Sequence, residues 1–494
     1  MMLSFHIYRI KNRLWMLNAY MHLKIWIGLA TVFFAVLMIK YYLTLNAELP
    51  AAAANPEKYG EAAQTQNIFW WETVQTESEC PDTEKTAGRS GLLCVEKHAL
   101  IRPLRVLIRS DNYQERLHAQ VSLTATGDFT VFDGTGSFRY SQGDVVRADY
   151  FLRDGLPDEC LRISCTEANG RIRILGLKRG QTEVFYPDII EVSRVADGYR
   201  VVNEVDLEEY LPFVLSSEMN RSFPAEALKA QAVCARTYAL ACMETPDPEC
   251  LGADLDDSTF CQVYNNKEPG TEEYQAVLDT SGMALFRQSD TGERIPAQIR
   301  YFSTSCGVLP TDDFSEESEF ARFLIDGRPD DLEYQEPWYR WHTEISADTL
   351  RQHMEQLGMS VDELADLEIG ERSRSGQVCR LTVFARSGHE PLHVEGEYAI
   401  RQFLSPDEEI TLQDGTVCQP LTLLPSAWFI MEKEFSSDGV LQKIVLCGGG
   451  FGHGDGMSQN GAKRMADSGK TWKEILQFYY PETELLSQLE KLSF

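Results

Sequence analysis

Residues 211–243 read LPFVLSSEMNRSFPAEALKAQAVCARTYALACM, and the second half of that stretch sets the fold class. Pro224 stands where a first helical turn tolerates proline, with Ser222 or Phe223 as the cap. Leu228, Ala232, Ala235, Tyr238/Ala239 and Cys242 then recur at helical spacing, which predicts a helix over 224–243. The stripe is made largely of small side chains, so another backbone can approach it closely; it reads as a buried, Ala-rich helix. Lys229, Gln231 and Arg236 interrupt that reading; periodicity alone favours a solvated face for them over a site. Glu218 lies just ahead of this helix after a short apolar run. A carboxylate there either favours the helix macrodipole or does chemistry, and spacing leaves both open.

Upstream of the helix the text is β-rich. RPLRVLIRS carries a short apolar run, and AQVSLTATGDFTVF alternates with period two around a Gly-Asp turn. RIRILGL at 171–177 and YRVVNEV at 199–205 continue the pattern. Downstream, SADTLRQHMEQLG at 346–358 predicts another helix, RLTVFAR and LQKIVL further strands, and SQNGAKRMADSG through TWKEILQFYY a helical close. Strands and helices mix without regular βαβ alternation or internal repeat, so the class is α+β: a β-rich domain built around one Ala-rich helix.

The N-terminus is of another kind. Residues 25–45, IWIGLATVFFAVLMIKYYLTL, form a 21-residue apolar run interrupted only by Lys40, long enough to cross a bilayer core of about 30 Å. Arg9, Lys11, Arg13 and Lys24 precede it, while Glu48 and Glu57 follow, so the positive-inside rule puts the N-terminus in the cytoplasm and the bulk outside. A cleaved signal peptide is the alternative, with AAAA at 51–54 offering small residues. The long basic leader and full apolar run favour an uncleaved anchor. The expected organisation is a leader over 1–24, a span over 25–45, a tether over 46–98 and a domain over 99–485. Of 494 residues, 46 are Lys or Arg and 75 Asp or Glu, a net charge of −29. That field repels phosphate and argues against nucleic acid as a partner. An apolar content of 43% excludes global disorder, and twelve Cys are too sparse for a disulfide scaffold.

Two more segments carry candidate chemistry. CGGGFGHGDGMSQNGAKRM at 447–465 places six glycines within ten positions after a strand. It is no P-loop, because no Gly-Lys-Ser/Thr follows, and no βαβ unit surrounds it. It is either a tight strand-to-helix turn or a site, and His453 favours a site, since a His among glycines has little apolar surface to pack against. YFSTSCGV at 301–308 ends a strand in Ser303, Thr304 and Ser305, which suit sugar hydroxyls or a hydroxyl-capped turn. A thiol–imidazole pair of Cys306 and His453 would need the two to be adjacent, which nothing in the sequence indicates.

Together these segments resemble the SpoIID/LytB domain family. The resemblance rests on EYLPFVLSSEMNRSFPAEALKAQAVCARTYAL, YFSTSCG and GFGHGDGMSQNGAKRMADSGKTWKEILQFYYP, with EPWYRWHTEIS at 336–346 similar to the family's PW-rich segment. It covers about residues 99–483. It implies a membrane-anchored lytic transglycosylase acting on peptidoglycan glycan strands, in wall remodelling or sporulation. Members of that kind cleave between N-acetylmuramic acid and N-acetylglucosamine and leave a 1,6-anhydromuramyl end. The family's catalytic glutamate falls on Glu218. Lys229, Gln231, Arg236, Ser303, Ser305, His453, Gly454, Gly456, Ser458 and Gln459 would line the glycan groove.

The sequence departs from the family pattern in three places. Cys306 replaces the first Gly of an S-T-S-G-G loop, and Asp455 stands where GHGVGMSQ has Val. Some members hold zinc just after the helix through His and Cys. Here CLGADLDDSTFCQVY puts Phe260 before Cys261, offers Cys250 as the other thiol, and has no His between 243 and 300. No metal or cofactor is therefore expected, and Cys250 with Cys261 is a candidate disulfide. The resemblance also admits a second class of function, a non-catalytic wall-binding module that stimulates a partner cell-wall amidase.

Overall fold

The computed structural model describes residues 102–152, 160–167, 169–179, 182–265, 267–309, 311–356, 364–385 and 390–487. These fall within one compact unit, Ser78–Phe494. The expected leader, span and tether lie outside the described residues, and among the described ones no helix is long and apolar enough to cross a membrane.

The architecture is mixed α and β, with eight α-helices among the described residues: α1 (Leu207–Glu218), α2 (Ala225–Glu244), α3 (Thr271–Asp279), α4 (Glu317–Asp326), α5 (Ala347–Gln356), α6 (Glu397–Phe403), α7 (Gln459–Asp467) and α8 (Trp472–Tyr479). The larger core belongs to a seven-stranded sheet. From edge to edge its strands are Leu255–Asp256, Leu104–Leu107, Gly198–Val205, Ile189–Val195, Cys160–Cys165, Phe129–Phe132 and Ser137–Tyr140. Every neighbouring pair is antiparallel except Leu104–Leu107 with Leu255–Asp256.

The alternating segment around Gly127–Asp128 does form two strands, but they part company. Ser122–Ala125 pairs with Val146–Arg147 and Ile172–Ile174, whereas Phe129–Phe132 joins the large sheet. The turn is thus a corner between sheets.

The predicted central helix is α2, and it is buried on nearly every side: Ala227, Leu228, Ala230, Gln231, Ala232, Val233, Cys234, Ala235, Arg236, Thr237, Ala239 and Leu240 are all inaccessible. A helix enclosed this way packs against several elements at once, which is why its side chains are small. α1, α3, α7, α8 and the strand Met283–Gln288 surround it. α1 was not legible as a helix, because Pro212 and the Phe-Val-Leu run suit a strand; Asp206 starts it by accepting the Glu208 N–H at 2.9 Å.

A second core lies in residues 303–456, which form an insertion. Its five-stranded sheet runs Val417–Cys418, Ile410–Leu412, Trp341–Ser346, Leu441–Gly448, Phe429–Phe435, with a three-stranded sheet of Leu364–Arg372, Val378–Ala385 and Leu392–Glu395 beside it. The entry and exit of the insertion lie side by side, because Tyr301–Phe302 pairs in parallel with Met457–Ser458. Tyr480 locks that neck: its hydroxyl donates to the Arg300 carbonyl at 2.6 Å and accepts the Met457 N–H at 3.0 Å. The chain then closes on the first core through α7, α8 and Glu484–Ser487, which pairs with Met283–Gln288.

Candidate active site

Glu218 is the last residue of α1, whose Leu211, Phe213, Val214 and Leu215 are buried in the core. Met219 leaves the helix in an extended conformation, and six residues separate Glu218 from α2. Its carboxyl therefore does not cap α2. Its partner is the Val263 N–H, which donates to Oε1 at 2.7 Å. Burial raises its pKa to about 7, and the Val263 bond offsets only part of that. An acid of that strength is substantially protonated at neutral pH.

The loop that brings Val263 to Glu218 is fixed at many points. Asp257 donates its N–H to the Leu107 carbonyl at 3.1 Å, and Tyr264 N–H returns to the Asp257 carbonyl at 3.2 Å. Asp256 Oδ1 accepts both the N–H and the hydroxyl of Ser258, at 3.0 and 2.8 Å. Gln262 accepts from the Tyr210 hydroxyl and donates to the Tyr301 oxygen, each at 3.1 Å. Tyr301 and Tyr113 stand within electrostatic reach of Glu218; burial lifts both phenols above their ordinary value, and the nearby carboxyl adds to the effect.

Tyr301 also links Glu218 to the two other motifs. Thr304 and Phe451 exchange backbone hydrogen bonds at 3.1 and 2.8 Å, and Asn460 N–H donates to the Ser303 carbonyl at 3.0 Å, so the Ser-Thr-Ser segment and the glycine loop form one structure. The His453 backbone carbonyl accepts from Gln377 Nε2 at 2.8 Å. Its ring lies 5.9 Å from that of Phe302, and its Nδ1 accepts the Asp455 N–H at 3.1 Å. Desolvation, with Arg300 next, lowers its pKa to about 4, so His453 is a neutral imidazole at physiological pH. The apolar surface that the sequence did not reveal is Phe302.

The glycines beside it serve packing. A Cβ on Gly454 would lie 2.4 Å from Trp428, and one on Gly456 would lie 1.9 Å from the Arg300 carbonyl oxygen. Both positions have φ near +80°, where side chains are disfavoured.

The other residues singled out by the resemblance divide by burial. Arg236 is fully buried, its guanidinium forked onto Glu208 at 2.7 Å through both Nε and Nη2, with Nη1 on the Met283 carbonyl at 3.1 Å. Gln231 is fully buried with both amide atoms unpartnered among the described residues. Lys229 is half-buried and paired with Glu226 and Asp279, each at 3.0 Å. Ser458 caps α7 and donates to Glu333 at 2.6 Å; Gln459 is buried behind it. Ser303 and Ser305 are half-buried, the first with its hydroxyl 3.2 Å from that of Thr304, the second accepting the Gly307 N–H at 3.1 Å.

Glu333 is the residue the motifs did not announce. It accepts from the Ser458 hydroxyl and from the Ser305 N–H at 2.9 Å, and burial raises its pKa to about 8. One neutral carboxyl thus clamps both segments. Its only signal was position, three residues ahead of the PW-rich text. Cys306 is buried beside Phe302, Phe320 and Trp428, its thiol pushed up to about 12, which suits packing and not nucleophilic attack.

Cys250 and Cys261 are both free thiols in mutual hydrogen-bond contact, which holds Cys261 below the usual thiol range. Two thiols with an exposed Phe260 between them do not fit a four-ligand zinc, and among the described residues no group of three His, Cys, Asp or Glu is arranged to hold a metal.

Comparison with known proteins follows the two cores. A profile described as stage II sporulation protein (SpoIID) matches residues 195–286, which contain α1, α2 and the Val263 loop. A domain of unknown function (DUF8618) matches 298–456, the insertion. The chain is 30% identical over 289 residues to an uncharacterised protein of Brachyspira hyodysenteriae, covering 58% of this chain and 68% of that one. It is 29% identical over 329 residues to stage II sporulation protein D of Bacillus subtilis, covering 62% and 82%. It is 27% identical over 306 residues to the amidase enhancer of the same organism, covering 56% of this chain but only 40% of that protein.

Proposed function

This chain belongs to the SpoIID family, and from that premise we propose that it is a membrane-anchored peptidoglycan lytic transglycosylase with Glu218 as its single acid–base residue. The observation that carries the proposal is the Glu218 carboxyl itself: desolvated, raised to about 7 and held through one oxygen by the Val263 amide. The protonated carboxyl gives its proton to the glycosidic oxygen as the C1–O bond breaks and positive charge develops on the sugar. The C6 hydroxyl of that sugar then attacks C1, and its proton passes to the Glu218 carboxylate, restoring the acid and closing the 1,6-anhydro ring. No water has to be activated by a second carboxylate, unlike the hydrolases that use a pair. His453, neutral, and the half-buried Ser303 and Ser305 are proposed glycan contacts on the insertion's side. The buried Arg236, Gln231 and Ser458 support the fold around them.

The test is digestion of purified glycan strands by the extracytoplasmic portion, with mass spectrometry of the products. Anhydro-muramyl ends support the proposal; reducing ends or intact strands oppose it. The match to the amidase enhancer favours a second reading, a wall-binding partner of an amidase, which has no need of Glu218. We place the domain outside the cytoplasm on the basic leader and apolar run of residues 9–45. Protease added to protoplasts should degrade it, and a domain protected until lysis would overturn the orientation.

A further inference from the structure

We propose that Cys250 and Cys261 close a disulfide in the extracytoplasmic protein, and that this bond staples the loop whose Val263 amide holds Glu218. The inference rests on the proposed placement of the domain outside the cytoplasm, and not on the reaction assigned to it.

The path of the chain brings the two thiols together. Cys250 ends a short turn that starts at Asp247, whose carbonyl accepts the Cys250 N–H at 2.9 Å. Leu251 and Gly252, with φ of 53° and 83°, then reverse the backbone, and the Ala253 N–H returns to the Cys250 carbonyl at 3.0 Å. Arg200 fixes the reversal by donating to the Leu251 carbonyl at 2.8 Å. Leu255–Asp256 runs beside Val106 and Leu107, and a second turn, from the Cys261 N–H to the Ser258 carbonyl at 3.1 Å, brings the chain back. Both cysteines thereby end in one small apolar cluster. Cys250 is buried in it with Leu107, Val202 and Ala253, and Cys261 packs against it. There the thiols meet, the Cys250 S–H donating to the Cys261 sulfur. Cys242, the other thiol nearby, reaches Cys261 only through the Tyr238 hydroxyl.

The asymmetry of the pair gives the order of events. Cys261 is partly exposed and its thiolate is favoured by the Cys250 hydrogen bond, whereas Cys250 is enclosed and its thiol is pushed up. The Cys261 thiolate, its proton released to solvent, attacks one sulfur of a low-molecular-weight disulfide and expels one thiolate, forming a mixed disulfide. Cys250 then loses its proton, attacks the Cys261 sulfur and expels the second thiolate. Two protein thiols are oxidised and one external disulfide is reduced to two thiols. The loop so closed spans residues 250–261, and Val263 follows two residues later with its N–H on Glu218 Oε1 at 2.7 Å. A cross-link there removes open conformations of the segment and keeps the amide on the carboxyl.

The experiment equilibrates the purified full-length chain with mixtures of oxidised and reduced glutathione, alkylates the remaining thiols and maps the peptides by mass spectrometry. The expected result is a Cys250–Cys261 cross-link as the dominant species at a secretory-type glutathione ratio. Dithiothreitol should open it, lower the melting temperature by about 5 °C and speed amide exchange at Val263 several-fold. A double variant, Cys250→Ala with Cys261→Ala, should lose both responses. The peptide map needs no variant, so the test stands if that double variant folds poorly. Both thiols alkylated across the whole range, or Cys261 found joined to Cys242, would overturn the proposal. A bond that closes in glutathione while the thiols stay free in protein from intact cells would refute the extracytoplasmic placement instead.

Discussion

Replacing Arg236 with Met separates a scaffold residue from a groove residue. The resemblance suggests that Arg236 touches glycan, yet its side chain is wholly enclosed and makes a two-pronged contact with Glu208, itself buried, on α1. Its remaining donors reach the Met283 and Val277 carbonyls at 3.1 and 3.4 Å. Methionine is similar in length and apolar, so the packing loss is small. The dominant cost is a Glu208 carboxylate left buried without its counter-charge, which for such a pair is about 3–5 kcal/mol. Thermal unfolding of the purified domain should therefore fall by roughly 10 °C. Arg236→Lys should recover only part of the loss, because an ammonium cannot fork across both carboxylate oxygens. Removing the stranded charge as well, in Glu208→Gln with Arg236→Met, should restore much of the stability. Below the new melting temperature, glycan affinity should be unchanged. A variant that melts like the wild type but binds glycan weakly would refute the scaffold role.

Other expectations follow from burial. Glu333 ionises at about 8 in the folded chain against an ordinary value of 4.5, so the folded state binds more protons between those values and stability falls as pH rises through them. Glu333→Gln keeps the shape of the neutral acid; its melting temperature should vary less between pH 5 and 8 than that of the wild type, and parallel profiles would contradict the assignment. Gly456→Ala places a methyl group against the Arg300 carbonyl at a φ of +78°, and should destabilise by more than about 2 kcal/mol. Unchanged denaturant midpoints would show that the neck yields. Cys306→Ala should retain glycan cleavage in a product assay, since the thiol is core; its complete loss would reopen thiol chemistry.

How much of this was legible in the sequence depends on the range of the interaction. α2 could be placed because small apolar residues at helical spacing are a local pattern, and its start beside Pro224 follows from backbone rules. α1 could not, since Pro212 speaks against a helix locally and only the packing of Tyr210, Leu211 and Phe213 into the core overrides it. Alternation located the strands around Gly127 without revealing that they join different sheets, because pairing partners are chosen far along the chain. The site shows the same division. Glu218 was marked by its motif, but its hydrogen bond to Val263 spans 45 residues. Polar residues inside the motifs, such as Arg236 and Ser458, looked like ligand contacts because polarity in a buried segment has two explanations, and only the partners, Glu208 and Glu333, tell them apart.

The central claim is that one half-buried, desolvated carboxyl performs both proton transfers. Glu218→Gln keeps the size of the side chain and the oxygen that accepts from Val263, but has no proton to deliver. Release of anhydro-muramyl products from purified glycan strands should fall by about 10²–10⁴-fold, while sedimentation with intact wall and the melting temperature stay as in the wild type. The wild-type rate should itself decline above about pH 7, where the acid loses its proton. A Gln variant that folds, binds wall and still releases anhydro-muramyl products at a near wild-type rate would contradict the account.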